Sequence, residues 1–230
     1  MNFSVDLPIS IIFLVLVTAF LVLRLRSVLG NRTGFERKPE KSVPVSALQN
    51  SPVIEGVGTP VQPPKVIREI PGSETEVGQC LTRITQIEPS FNPNQFLEGA
   101  EIVFRKVLEA FANGDKQTLQ NFLVSDAYHS FESAITARQD AKETQKIEVK
   151  HIYSETITNA KLFEDQSMNR VLIEVKFISD QINVTMGKDN NPVVGTESVT
   201  EFVDFWTFER LLGVNTQGAS WRLKSARSAA

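Results

Sequence analysis

The side chains that could carry acid–base or nucleophilic chemistry are few in this 230-residue chain. It contains two histidines, His129 and His151, and a single cysteine, Cys80. A hydrolase site needs a nucleophile, a base and an orienting group in one place, whereas each histidine lies in a periodic segment that favours a structural role. One cysteine forbids an internal disulfide, and no paired Cys/His spacing suggests zinc. We therefore predict no catalytic residues, no metal and no cofactor.

Two residues stay open as alternative general bases, Asp204 and His151. A carboxylate dyad of Glu201 with Asp204 is disfavoured, because residues an odd number apart on one strand point to opposite faces. The plainer interpretation of Asp204 is a hydrogen bond or an ion pair, for which Arg138 and Arg210 are natural partners. The sequence lacks GxxxxGK[ST] and GxGxxG motifs, so a nucleotide site is not predicted.

Aromatic residues are the stronger binding candidates. The segment 199–208 carries apolar side chains on both faces, with Val199, Val203 and Phe205 on one and the aromatic residues on the other. A one-sided sheet needs less apolar surface than this. Either the residues form an ordinary core or some line a pocket. The pocket or partner candidates are Phe96, Phe104, Phe131, Phe202, Trp206 and Phe208.

Helical periodicity and capping signals predict helices that carry the first three of these candidates, Phe96, Phe104 and Phe131. Residues 77–88 predict a short amphipathic helix. Asn92-Pro93 supplies an N-cap and a first-turn proline for a second helix, which Gly114 ends. Asp115 can cap the next helix, and Ser125 a further one.

Alternation with a period of two then replaces the helical period. Residues 147–160, 171–178, 197–210 and 221–226 read as strands. Asp189-Asn190-Asn191-Pro192 is a turn signal between two of them. Helices followed by strands predict an α+β fold, with the helices on one face of a twisted antiparallel sheet.

The N-terminus predicts a membrane anchor. Leu7–Leu23 is a run of seventeen uncharged residues, the short end of what spans a hydrocarbon core of roughly 30 Å. Its N-terminal flank lacks the basic residues of a signal peptide, so we expect a retained helix within residues 1–30. Positive charges follow the run, which predicts a single-pass inner-membrane protein whose C-terminal domain is on the cytoplasmic side, or in the equivalent matrix.

Residues 31–75 predict a tether, since seven of the eleven prolines lie between Pro39 and Pro71. Proline breaks both helix and sheet, so we expect a disordered linker there and a folded domain over residues 76–230. A passive spacer and a specific binding motif both remain open for the linker. From residue 80 onward the chain carries 16 Lys and Arg against 20 Asp and Glu, which disfavours nucleic-acid binding.

The folded part resembles the Tim44-like domain family. The stretches that carry the resemblance are Phe96–Ala100 with Val103-Phe104, Ala110–Asp115, Leu119–Leu123, Tyr128–Phe131, Ala134-Ile135 with Arg138, Asp204–Arg210 and Trp221–Leu223. The resemblance implies a cone-like α+β domain with a large apolar pocket, similar to the nuclear-transport-factor-two-like architecture. With an expected anchor and a proline-rich linker in front, the chain resembles bacterial TimA-type members.

Two functions are compatible with this organisation. The first is a membrane-anchored adaptor in protein translocation or inner-membrane biogenesis, which binds a partner protein or lipid through the apolar pocket. The alternative is a pocket enzyme, or a carrier of a small ligand or lipid, with the same fold. A histidine or aspartate accessible inside the cavity would favour the enzyme.

Overall fold

A computed structural model describes residues 65–164, 169–212 and 220–229. The predicted anchor and most of the predicted linker lie outside these residues, so both stay predictions. Within the described part of the chain, no helix is long and apolar enough to cross a membrane.

The helices begin and end close to where the capping signals place them. The Asn92 side chain accepts hydrogen bonds from the backbone N–H groups of Asn94 and Gln95, and Pro93 occupies the first helical position. Gly114 ends the same helix with a φ of 70°, a left-handed conformation in which glycine carries no Cβ penalty. Asp115 caps the next helix by accepting from the Thr118 N–H. The helices are α1 (Glu76–Ile87), α2 (Pro93–Asn113), α3 (Lys116–Phe122) and α4 (Ser125–Asp140).

The described strands form one sheet in chain order. They are β1 (Ile67–Glu69), β2 (Thr144–Phe163), β3 (Asn169–Met186), β4 (Pro192–Leu212) and β5 (Arg222–Ser228). Strands β2 to β5 pair antiparallel, while β1 pairs parallel to β2. Register shifts interrupt β2 at three points, where one strand gains a residue over its partner and bends.

One face of the sheet holds the core. The odd-numbered residues of β3 from Val171 to Phe177 are fully buried, as their alternation predicts. They pack with the apolar side of α2 and with buried residues of the other helices, such as Ile84 and Ile135. The α+β class predicted from the sequence is therefore confirmed.

Three details of the prediction are wrong. Residues 67–69 form a strand and are not part of a disordered linker, because pairing with β2 overrides the proline-rich composition. That strand is parallel, so the sheet is mixed rather than antiparallel. Ser125 is the first residue of α4 instead of its cap; the N-cap is Val124, whose side chain has no acceptor.

Candidate functional site

Five aromatic rings interlock at the centre of the molecule. Phe104 of α2 stacks on Phe177 of β3, with ring centroids 4.4 Å apart, and Trp206 of β4 lies 4.7 Å from Phe104. Phe208 meets Phe96 edge to face at 5.8 Å. Such offset and edge contacts stabilise a packed core beyond the area that they bury. All five rings are buried.

The other two predicted aromatic residues are half-buried. Phe131 lies on α4 and meets Phe111 edge to face at 5.1 Å. Phe202 lies on the core side of β4, where burial decreases along the strand from Phe208 through Trp206 to Phe202, and Thr200 is exposed. The structure thus places four of the six candidates in the core and two near the surface. Contact of any of them with a partner stays a prediction.

A small buried polar cluster borders the aromatic rings. The Asp204 carboxylate accepts hydrogen bonds from Gln181 Nε2 at 3.0 Å and from the Ser228 hydroxyl, and Gln181 also donates to Ser179 Oγ. Burial raises the pKa of Asp204, while these two hydrogen bonds to its carboxylate lower it. The buried carboxylate has hydrogen bonds from both neighbouring strands, so it links β3, β4 and β5 at this point.

His151, the second candidate base, does not join Asp204. Its ring packs against Tyr153 at 4.6 Å, and the Tyr153 hydroxyl donates to Asp180 at 2.7 Å. Tyr153 is exposed on the face of the sheet opposite the core. The two candidate bases therefore belong to different faces, and the structure does not assemble them into one site.

The arginines suggested as partners of Asp204 bind elsewhere. Arg210 pairs with Glu88, just after α1, at 2.5 Å. Arg138 donates to the Phe111 and Ala112 carbonyls at 2.6 and 3.2 Å, at the C-terminal end of α2. Both arginines bind at the ends of helices, so the prediction that they pair with Asp204 is wrong.

A charged network that the sequence analysis missed surrounds Glu155 of β2. This residue is 0% exposed, and its Oε2 accepts from Arg68 Nε of β1 at 3.0 Å. Arg68 also donates to Glu101 of α2 at 2.9 Å and lies 3.8 Å from Glu98. Arg105 holds Glu101 from the other side at 3.2 Å. The network joins β1, β2 and α2.

Burial raises the pKa of Glu155 to about 7, against the opposing effect of Arg68. The second carboxylate oxygen, Oε1, is buried and has no hydrogen-bond partner among the described residues. A sequence signal did exist, because Glu155 stands two residues before the buried Ile157 on one strand and so shares its face.

A groove lies on the face of the sheet opposite the core. Its volume is about 250 Å³, and it contains none of the six aromatic candidates. Lys224 at its edge pairs with Glu209 at 3.1 Å, and Glu174 pairs with Arg227 at 3.2 Å. The lining residues are Asn159, Lys161, Leu172, Glu174, Thr207, Lys224 and Ser225. Six of its seven lining residues are polar or charged, and it lies on the other side of the sheet from the apolar pocket predicted between sheet and helices.

Among solved structures, the chain is similar to the crystal structure of the intermembrane space region of the chloroplast protein ARC6. The two share 8% identity, with 58% of this chain and 96% of that one covered, at a TM-score of 0.34. A TM-score this low supports no inference about function.

Comparison with protein families identifies the folded domain. The model of the Tim44-like domain matches residues 77–228, which is 152 of the 230 residues. Domains of this type take part in protein translocation and in membrane-associated scaffolding, interact with membranes and with translocation partner proteins, and are generally non-catalytic. The α+β fold and the matched range agree with the resemblance noted from the sequence. The chain belongs to the family of Tim44-like domains.

Proposed function

We propose that this protein is a membrane-anchored adaptor of the bacterial TimA type, acting in protein translocation or inner-membrane biogenesis. The observation that carries the proposal is the family match over residues 77–228. The uncharged run Leu7–Leu23 supports it by supplying an anchor in front of that domain. In this proposal the domain works as a non-enzymatic binding module on the cytoplasmic side of the membrane.

The partner-binding surface in this proposal comprises the two half-buried aromatic candidates. They are Phe202 of β4 and Phe131 of α4, which combine an apolar ring with partial exposure. Aromatic side chains are enriched at protein-binding sites. The test uses Phe202, which lies on the same face of β4 as Trp206 and Phe208.

Site-specific crosslinking tests the surface. A photo-reactive amino acid is placed at Phe202 in the full-length chain, in its native membrane. The matched control carries the same group at Val199, which is exposed on the opposite face of the same strand. We expect components of the secretory translocase, the insertase or the ribosome to crosslink from position 202 and not from position 199. Equal crosslinking from both positions would contradict the proposed surface.

The same experiment separates the adaptor from the alternative function. Recovery of lipid instead of protein from position 202 would favour a lipid carrier. Topology has its own test, because the basic residues after the run predict a cytoplasmic C-terminus. A reporter fused after Ala230 should be active only in its cytoplasm-dependent form, and activity of a periplasm-dependent reporter would contradict this orientation.

A further inference from the structure

Strand β1 is a short edge strand held at few points. It pairs with β2 through three residues, Ile67 to Glu69 opposite Ser154 to Thr156. Ile67 is 60% exposed, and Glu69 makes its contact with the Thr156 hydroxyl at the surface. An edge strand of this kind covers backbone N–H and C=O groups that another extended segment can also pair with.

The side-chain contact that selects this segment for pairing with β2 is the ion pair between Arg68 and Glu155. These two residues lie directly opposite each other in the parallel register. Three carboxylates, Glu155, Glu101 and Glu98, surround the single guanidinium at 2.9 to 3.8 Å. The strand position is therefore an acidic site that accepts an arginine, and the buried carboxylate of Glu155 is its deepest group.

Arg68 fills this site incompletely. It reaches Glu155 through Nε alone and uses a terminal nitrogen on Glu101. The buried Oε1 of Glu155 has no partner in the described part of the chain. A carboxylate can accept two parallel hydrogen bonds from one guanidinium, and that geometry is stronger than a single contact. An arginine arriving in a different pose would satisfy the second oxygen.

The flanking residues define the rest of the pattern. Val66 and Ile70, two positions to either side of Arg68, are partly buried against the core, while Ile67 and Glu69 face outward. Alternate side chains of a paired strand supply specificity in this mode of recognition, and the backbone supplies general affinity. The site thus fits an aliphatic residue, an arginine and an aliphatic residue, each separated by one position.

We propose that the β2 edge at Ser154–Thr156, with Glu155 and Glu101, is a binding site for an extended segment of a partner protein. Residues 66–70 of the chain itself fill the site in its closed form, and the partner segment enters by replacing β1. The partner segment carries an arginine between two aliphatic residues. This site is separate from the aromatic surface, and the inference does not depend on the proposed function.

A peptide competition experiment tests the site. The probe is a fluorescent peptide of residues 64–72 of this chain, PKVIREIPG, added to the full-length protein in detergent micelles. Arg68→Ala weakens the resident strand and opens the edge. We expect the peptide to bind this variant roughly tenfold more tightly than wild type, because apparent affinity scales with the fraction of molecules whose site is open.

Three controls assign the gain to the arginine site. A peptide with alanine in place of its arginine should show no gain in affinity for Arg68→Ala. The double variant Arg68→Ala, Glu155→Gln should show no gain with the unaltered peptide. Arg83→Ala removes an arginine paired with exposed Glu164 and should bind like wild type. If Arg68→Ala fails to fold, Ile70→Ala opens the edge without changing the ion pair and should give the same gain.

Two results would overturn the inference. One is equal peptide affinity for wild type and for the folded edge variants. The other is dimerisation of the wild-type chain, seen by light scattering without peptide and lost in Arg68→Ala, which would assign the site to strand exchange between two copies.

Discussion

Replacing Trp206 by alanine should separate a core role of this residue from a ligand-facing one. Trp206 is 3% exposed, and the rings of Phe104, Phe177 and Phe208 lie 4.7, 6.1 and 6.3 Å from it. A buried aromatic side chain removes roughly 150–250 Å² from water, which is worth about 4–6 kcal/mol at roughly 25 cal/mol per Å². That figure is an upper value because unfolded chains already bury part of this surface. We expect Trp206→Ala to lower the free energy of unfolding by about 3–5 kcal/mol.

Urea unfolding followed by circular dichroism measures this loss. With an m value of about 2 kcal/mol/M, a loss of 4 kcal/mol moves the midpoint down by about 2 M. Phe205→Ala is the matched control, because Phe205 is the neighbouring aromatic residue on the opposite face, half-buried beneath Arg227 at 3.9 Å. Its loss should be about 1–2 kcal/mol.

The reasoning fails if Trp206→Ala costs no more than Phe205→Ala. Such a result, together with loss of crosslinking from position 202, would mean that Trp206 faces a ligand-filled space and is not part of a solid core. A large loss with an unchanged m value would confirm that the ring is structural.

Three further predictions concern the charged and polar contacts. Because the pKa of Glu155 is raised from 4.5 to about 7 in the folded protein, the native state binds this proton more tightly than the unfolded state. Its contribution to stability should be greatest below pH 4.5 and decline as the pH rises towards 7, and Glu155→Gln should remove that slope in a series of urea titrations. A fragment that begins at residue 76 lacks both the ion pair of Arg68 with Glu155 and the packing of Val66 and Ile70, so at pH 8 it should be about 3–5 kcal/mol less stable than one that begins at residue 65. Equal midpoints would contradict the role of β1. Arg138→Ala removes charge-assisted hydrogen bonds to the last carbonyls of α2 and should cost about 2–3 kcal/mol in the same assay, whereas a loss near zero would show that water replaces it.

The local signals in the sequence predicted most of the fold. Asn92, Gly114 and Asp115 each act through atoms within a few residues of themselves, so their capping roles could be recognised without knowing the tertiary structure. Strand β1 could not be recognised in this way. Its three residues carry no usable period, and the residues that they pair with lie 87 positions further along the chain.

The candidate site was predictable only where it depends on local alternation along a strand. Alternation along β4 placed Phe202, Trp206 and Phe208 on one face, which the structure confirms. It did not predict how burial changes along that face, because the covering helices decide this. Glu155 was missed because counting from Ile152 places it on the opposite face, whereas the register shift between Ile152 and Ser154 moves it to the face of Ile157.

The separation between β1 and its partner also has a consequence for biosynthesis. Arg68 is made 87 residues before Glu155. At about 5–20 residues per second, the ribosome needs roughly 4–17 s to synthesise that interval. The segment around Arg68 therefore leaves the ribosome earlier, by this interval, than the strand that will receive it, while the helices, formed by local contacts, can begin to fold. The docking of β1 therefore waits until the strand that carries Glu155 has emerged, although Arg68 itself is available much earlier.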